Sequence, residues 1–128
     1  MKYAKKKRKQ ITIGKLKTKI ETEAKRLAKQ RDKYICQKCG KKVSGSKAHG
    51  SHVIPKSRSQ LLRFDIMNIK CLCMFCHIRW WHLYPTDSGI WFRETFPDRY
   101  KYLERLKNEK KQWKRFELEE LYKQLKNQ

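Results

Sequence analysis

The chain has 128 residues, 38% of them hydrophobic, which suits one small domain with a helical extension and excludes a large core. Thirty-four Lys and Arg against 12 Asp and Glu leave a formal charge of +22, a self-repulsion that a polyanion relieves. No run approaches the ~20 apolar residues of a membrane span, and the basic N-terminus lacks the apolar stretch of a secretory signal.

A cytoplasmic, reducing setting is therefore expected, in which paired cysteines bind metal in preference to forming disulfides. Nucleic acid is the first candidate partner, ahead of an anionic membrane surface or a merely solvated basic face.

Residues 1–14, with Lys2, Lys5, Lys6, Lys7, Arg8 and Lys9, read as a basic tail for phosphates or for solubility. From Lys15 to about Asp32 the spacing of Leu16, Ile20, Ala24, Leu27 and Ala28 predicts a helix with one apolar face. Glu21 and Glu23 sit where they pair with nearby Lys25 and Arg26, so neither is given a catalytic role.

Tyr34 to Gly40 reads as a short strand entering a tight turn, with Gly40 able to take the left-handed conformation. Lys47 to Ile54 predicts a strand ending at Pro55. A basic loop spans residues 56–67, and Asn68 to Leu72 predicts a second strand. Met74 to about Leu83 predicts a helix that Tyr84-Pro85 ends. A short helix follows over Asp87 to Phe96, and Pro97 opens a helical run through residues 98–126. The polar stretch Lys107 to Lys111 marks a bend or a division of that run. The organisation is thus a tail (1–14), a domain with its N-terminal helix (15–97) and a helical extension (98–128).

Two Cys-x-x-Cys pairs, Cys36/Cys39 and Cys73/Cys76, supply a four-thiolate set for structural zinc, since a two-residue gap lets one tight turn present two sulfurs. Cys71 is left as a buried strand residue, its wider gap to Cys76 making it the poorer ligand. Four thiolates close the coordination sphere, so catalysis needs a second ion.

The insert between the pairs carries His52 and Asn68, and His77 follows Cys76 directly. Cutting a phosphodiester takes a base for water, which neutral imidazole supplies near pH 7. It also takes charge compensation at the phosphate and leaving oxygen, which one divalent ion supplies. Adjacent helical residues point about 100° apart, so Cys76 can face the zinc while His77 faces another site. The same geometry turns His82 about 140° away from His77.

His52-Val53-Ile54-Pro55, Asn68-Ile69 and Leu72-Cys73-Met74-Phe75-Cys76-His77 together resemble the HNH endonucleases, over residues 34–82. The resemblance implies an α+β fold with a small ββα-metal core: the first strand carries the catalytic histidine, the second the asparagine and the helix the last histidine. Leu62-Arg63-Phe64, at similar offsets, resembles most closely the phage NinG family, also called Rap, whose members act on branched DNA during recombination. By this resemblance His52 is the general base, Asn68 orients the His52 loop, and His77 binds a catalytic ion, Mg2+ or Mn2+. Arg63 contacts substrate or buttresses the loop. Two departures stand out. Ser51 occupies a position where many HNH enzymes have a metal-binding Asp, and NinG relatives tend to lack a histidine at the place of His77. His49, two residues before Ser51 and so on the same strand face, is a substitute ligand or a core histidine.

Lys56, Arg58, Arg63, Arg79 and Arg93 are the expected phosphate contacts, reading backbone and shape over base order. Trp81 and Trp91 are expected in the core. Trp113, Phe116, Leu121 and Leu125 are expected to form a homodimer interface, which would suit a two-fold symmetric junction. The expected activity is metal-dependent cleavage of branched recombination intermediates. The alternatives are a zinc-stabilised DNA-binding module without catalysis and an ordinary duplex-nicking HNH enzyme.

Overall fold

The computed structural model describes residues 9–128, and the basic residues before Lys9 lie outside the described ones. The architecture is α+β, a two-stranded sheet flanked by helices.

Helix α1 spans Ile13–Arg31. The Thr12 hydroxyl accepts from the backbone N–H of Lys15 and caps it, while Lys29 and Arg31 lie at the electronegative end. Leu16, Ile20, Ala24 and Ala28 recur every four residues and are buried as one stripe. The end of α1 is bolted to the sheet. The Asp32 carboxylate accepts from the backbone N–H of Cys71 at 2.8 Å, and the Arg31 guanidinium donates to the carbonyls of Ile66 and Ile69.

Lys33 and Tyr34 follow with φ of 56° and 55°, two consecutive non-glycine residues in the left-handed region. Such backbone is costly and survives where surrounding contacts over-determine it. Here it reverses the chain into the first cysteine turn, which is closed by one bridge, Ile35 to Lys42, and by Gly40 at φ 77°.

Strands β1, Ala48–His52, and β2, Ile69–Cys73, pair antiparallel, with Ala48 opposite Cys73 and His52 opposite Ile69. The sheet leads into Phe75–Trp81, which is a π-helix and not the α-helix expected from Met74 to Leu83. Its backbone closes over five residues, with the His82 N–H reaching the His77 carbonyl at 3.2 Å. Such π-turns cluster at functional sites.

Pro85 opens helix α2, Pro85–Thr95, where the sequence reading had it end the preceding helix. A proline lacks only an N–H that a first turn leaves unpaired in any case. Pro97 opens α3, Pro97–Leu106, and after an extended connection α4 spans Arg115–Lys126. The long C-terminal run is thus divided at the polar stretch.

Helix α4 lies on α1, with Leu118 and Leu125 buried against Leu16, Ile20 and Phe64, and with Trp113, Leu121 and Tyr122 packed at the edge. The Trp113 indole N–H donates to the Gln60 carbonyl at 2.9 Å. Of the four residues expected at a dimer interface, Leu125 is buried and Trp113 and Leu121 are half-buried against α1 within the chain, while Phe116 stands exposed. A second cluster gathers Leu72, Trp81, Phe92 and Leu103, with Trp80, Trp91 and Phe96 packed on it edge to face. Trp81 and Trp91 are therefore core, as expected. Among the described residues no helix is long and apolar enough to cross a membrane.

Candidate active site and metal centre

The two cysteine turns meet. The sulfurs of Cys36, Cys39, Cys73 and Cys76 all lie within 4.8 Å of one another, and all but Cys39 are buried. Cys39 and Cys73 are 3.8 Å apart, and the Cys76 N–H points at the Cys73 sulfur. Burial raises the Cys36 thiol, yet donated N–H groups of Cys39, Cys73 and Lys38 outweigh it and bring the thiol down to about 7. Burial and neighbouring sulfurs push Cys76 up. A compact set of four sulfurs, one of them already poised to ionise, fits a structural zinc and leaves no position for substrate. Cys71 sits on β2 outside the cluster, its thiol raised to about 11 by burial and by Asp32.

His52 ends β1. Its Nε2 lies 2.9 Å from the Arg63 carbonyl. A carbonyl only accepts, so Nε2 carries the proton and Nδ1 keeps the lone pair. Burial lowers the basicity of His52, against the opposing pull of that carbonyl and of Glu21. Asn68 is fully buried and fully engaged: Oδ1 accepts from the Ile54 N–H at 2.8 Å, and Nδ2 donates to the Ile54 and Leu62 carbonyls. It staples the segment after His52 to the turn that bears the Arg63 carbonyl.

Arg63 itself is turned inward, its side chain 13% exposed and its Nε 3.1 Å from Glu21. Of the two roles considered for it, buttressing the loop is the one its geometry serves. Glu21 also reaches Lys25 at 3.4 Å. The Lys25 stem crosses β1 so closely that a Cβ on Gly50 would come within 2.6 Å of it, which is why a glycine stands there. Helix α1 thereby forms one wall of the His52 site through Glu21 and Lys25, beyond the in-helix pairing expected of them.

His77 is central to a row of three imidazoles. Its Nδ1 lies 2.9 Å from Nδ1 of His49, and its Nε2 lies 3.0 Å from Nε2 of His82. The expectation that His82 points away is corrected by the π-helix, whose five-residue closure brings positions 77 and 82 together. Burial first, then the neighbouring His82 and His49, lowers His77 to about 4. Ser51 is buried, and its hydroxyl accepts from the Lys70 amine at 3.1 Å. Lys70 is entirely buried, lies 3.2 Å from the Trp81 ring centre and is lowered by burial well below the usual lysine range.

A cleft of about 580 Å³ joins these groups, lined by His52, His77, His82, Glu21, Lys25 and Glu104 among others. Lys56 lines it, and Arg58, Arg79 and Arg93 are exposed, Arg58 donating to Asn108.

No curated protein and no solved structure matches the chain. Residues 36–79 match the family model described as HNH endonuclease, a span holding both cysteine pairs, His52, Asn68 and His77, and through it the chain is similar to the HNH superfamily.

Proposed function

We propose that the protein is a metal-dependent endonuclease that hydrolyses phosphodiester bonds in DNA, with His52 as general base. The observation that carries this is the His52 tautomer: a half-buried imidazole whose Nε2 proton goes to the Arg63 carbonyl keeps Nδ1 unprotonated, on a residue that lines the cleft with His77 and His82. Neutral imidazole held in one orientation is what proton abstraction from water requires. Asn68 orients the loop, and Glu21 holds Arg63 so that its carbonyl stays in place.

One divalent ion would be held by His77 with one neighbour, His49 at its Nδ1 or His82 at its Nε2, since the two contacts lie on opposite sides of the ring, and water and phosphate would complete its sphere. Asn68 is fully buried with its oxygen on the Ile54 N–H, and the Ser51 hydroxyl takes the Lys70 amine, so the donors on offer to an ion are imidazole nitrogens. Such a set suits Mn2+ or a later first-row ion better than Mg2+. An ion bound there supplies charge at the phosphate and the leaving oxygen. The chain's own cations, Lys56, Arg58, Arg79 and Arg93, position the backbone.

Within this reading the substrate is a branched recombination intermediate, supported by the likeness of Leu62-Arg63-Phe64 and Asn68-Ile69 to the NinG pattern. A zinc-stabilised DNA-binding module without catalysis is the competing reading, favoured by Ser51 standing where a carboxylate ligand is common. A panel of linear duplex, flap, D-loop and four-way junction, with Mg2+, Mn2+, Ni2+ and Zn2+ varied, separates them. Cleavage lost in His52→Ala, with zinc content and DNA affinity retained, supports the enzyme. Absence of cleavage on every substrate overturns it.

A further inference from the structure

We propose that the outer face of the π-helix is an apolar wedge that inserts between DNA base steps beside the cleft. This rests on the nuclease reading for its partner. Met74 and Phe75 are 63% and 67% exposed, and Ile78, Leu83 and Tyr84 are exposed with them. They form a run of large apolar side chains on the short segment that also carries His77. Nothing in the fold needs them there. Cys76 and Trp81, on the inner side of the same segment, already supply its core contacts.

The surroundings name the partner. Between residues 33 and 86 the sequence holds one acidic residue, Asp65, against ten basic ones. Asp65 is committed internally, to the Tyr102 hydroxyl and to the Met67 N–H. Arg79 lies exposed within the patch, and Lys38 sits over the Trp80 ring on the same helix. A second copy of the chain would bring +22 against +22, which disfavours self-association through this face. DNA presents both complements, phosphates for the basic rim and base steps for the apolar centre. Met, Phe, Ile and Leu are the side chains that minor-groove proteins push between bases, unstacking a step and kinking the duplex. Ile78 follows directly on His77, which lines the cleft, so the patch sits on the same short segment as a cleft residue. The kink would widen the backbone at the bond to be cut and would favour junctions, where steps are already unstacked.

The test uses the full chain carrying His52→Ala, which binds without cutting, and duplex or junction DNA with 2-aminopurine at the binding site. Insertion unstacks the probe and raises its fluorescence several-fold. Met74→Ser with Phe75→Ser, both exposed and outside the zinc set, is expected to lose that rise and to bind about tenfold more weakly, with zinc content and the salt dependence of binding unchanged. A rise that persists in the double variant overturns the wedge. Cleavage by the His52-bearing chain with no fluorescence rise in its His52→Ala counterpart overturns the wedge and leaves the nuclease standing. A rise with no cleavage by the His52-bearing chain does the reverse. Partition onto phosphatidylglycerol vesicles that Phe75→Ser abolishes, with the fluorescence rise intact, would assign the patch to membranes and also overturn the proposal.

Discussion

His77 and His82 meet Nε2 to Nε2 at 3.0 Å although five residues separate them. An α-helix would splay them apart, and the extra residue in each turn of the π-helix removes that obstacle. The cleft gains an imidazole that no residue spacing of 3.6 would assign to it.

Loss of that imidazole should show in the metal requirement. His82→Ala is expected to raise the divalent ion concentration needed for half-maximal cleavage by at least about tenfold, the lower end of what losing even an outer partner costs. Cleavage at saturating ion should largely recover. His77→Ala should not recover at any ion concentration. A metal titration of both variants checks this, and an unchanged requirement in His82→Ala would remove it from the site.

The pH dependence has a sign. Burial lowers His52, so the fold favours its neutral form. The base is then available down to a lower pH than the ordinary histidine value of about 6.5, and the acid limb of cleavage should lie below that value. Glu21 acts in the opposite direction, holding the His52 proton. Glu21→Gln should therefore move the limb to still lower pH, while kcat falls because Arg63 loses its anchor. The same sign applies to folding. The unfolded chain binds the His52 proton more tightly, so this contribution to stability is present above the unfolded pKa and is lost as pH falls through the folded one. A pH–rate profile of both proteins is the measurement.

Asn68→Ala strands the Ile54 N–H, the Ile54 carbonyl and the Leu62 carbonyl in a buried place. The expected cost is about 2–4 kcal/mol in urea unfolding, one unsatisfied buried group alone costing roughly 1–3 kcal/mol. Asn68→Asp keeps the acceptor but aims a carboxylate at two carbonyls, and should be no better than Ala. A variant that unfolds like the parent would show that water replaces the amide.

The zinc centre should be inseparable from the first cysteine turn. That turn has one β-bridge to hold it, so Cys36→Ser is expected to release the bound zinc and expose residues 35–42 to protease. The released metal can be read with a chromogenic chelator, one ion per chain being expected of the parent.

Truncation after Asn108 should destabilise the monomer and not dissociate a dimer. It uncovers Leu16, Ile20 and Ala24, and Leu118→Ala alone is expected to cost about 2–5 kcal/mol. Light scattering with thermal unfolding of the truncated chain distinguishes the outcomes: retained stability with halved mass would restore the dimer interface.

The motif residues were legible because metal and backbone chemistry force them into short spacings. Cys36, Cys39, Cys73 and Cys76 could be paired from the sequence, and the α1 stripe follows from a four-residue recurrence. What was illegible depended on tertiary override. No local signal marks Phe75–Trp81 as π, so His82 was turned the wrong way. Glu21 makes the in-helix pair with Lys25 that its spacing suggests, but its second partner, Arg63, is 42 residues away and left no local signal. Ser51 invited reading as a weak ligand until the buried Lys70 opposite it on β2 accounted for its hydroxyl. The α4 stripe reads equally well as an interface or a clasp, and only the position of α1 decides.

That clasp bears on when the protein becomes active. Glu21 and Lys25 wall the cleft from α1, and α1 is held by Leu118 and Leu125, about a hundred residues later in the chain. During synthesis the cysteine turns and the His52 strand emerge well before that partner does. A nascent chain stalled short of α4 presents the histidines with α1 tied to the sheet through Arg31, Asp32 and the Glu21–Arg63 pair, but without the apolar clasp of Leu118 and Leu125.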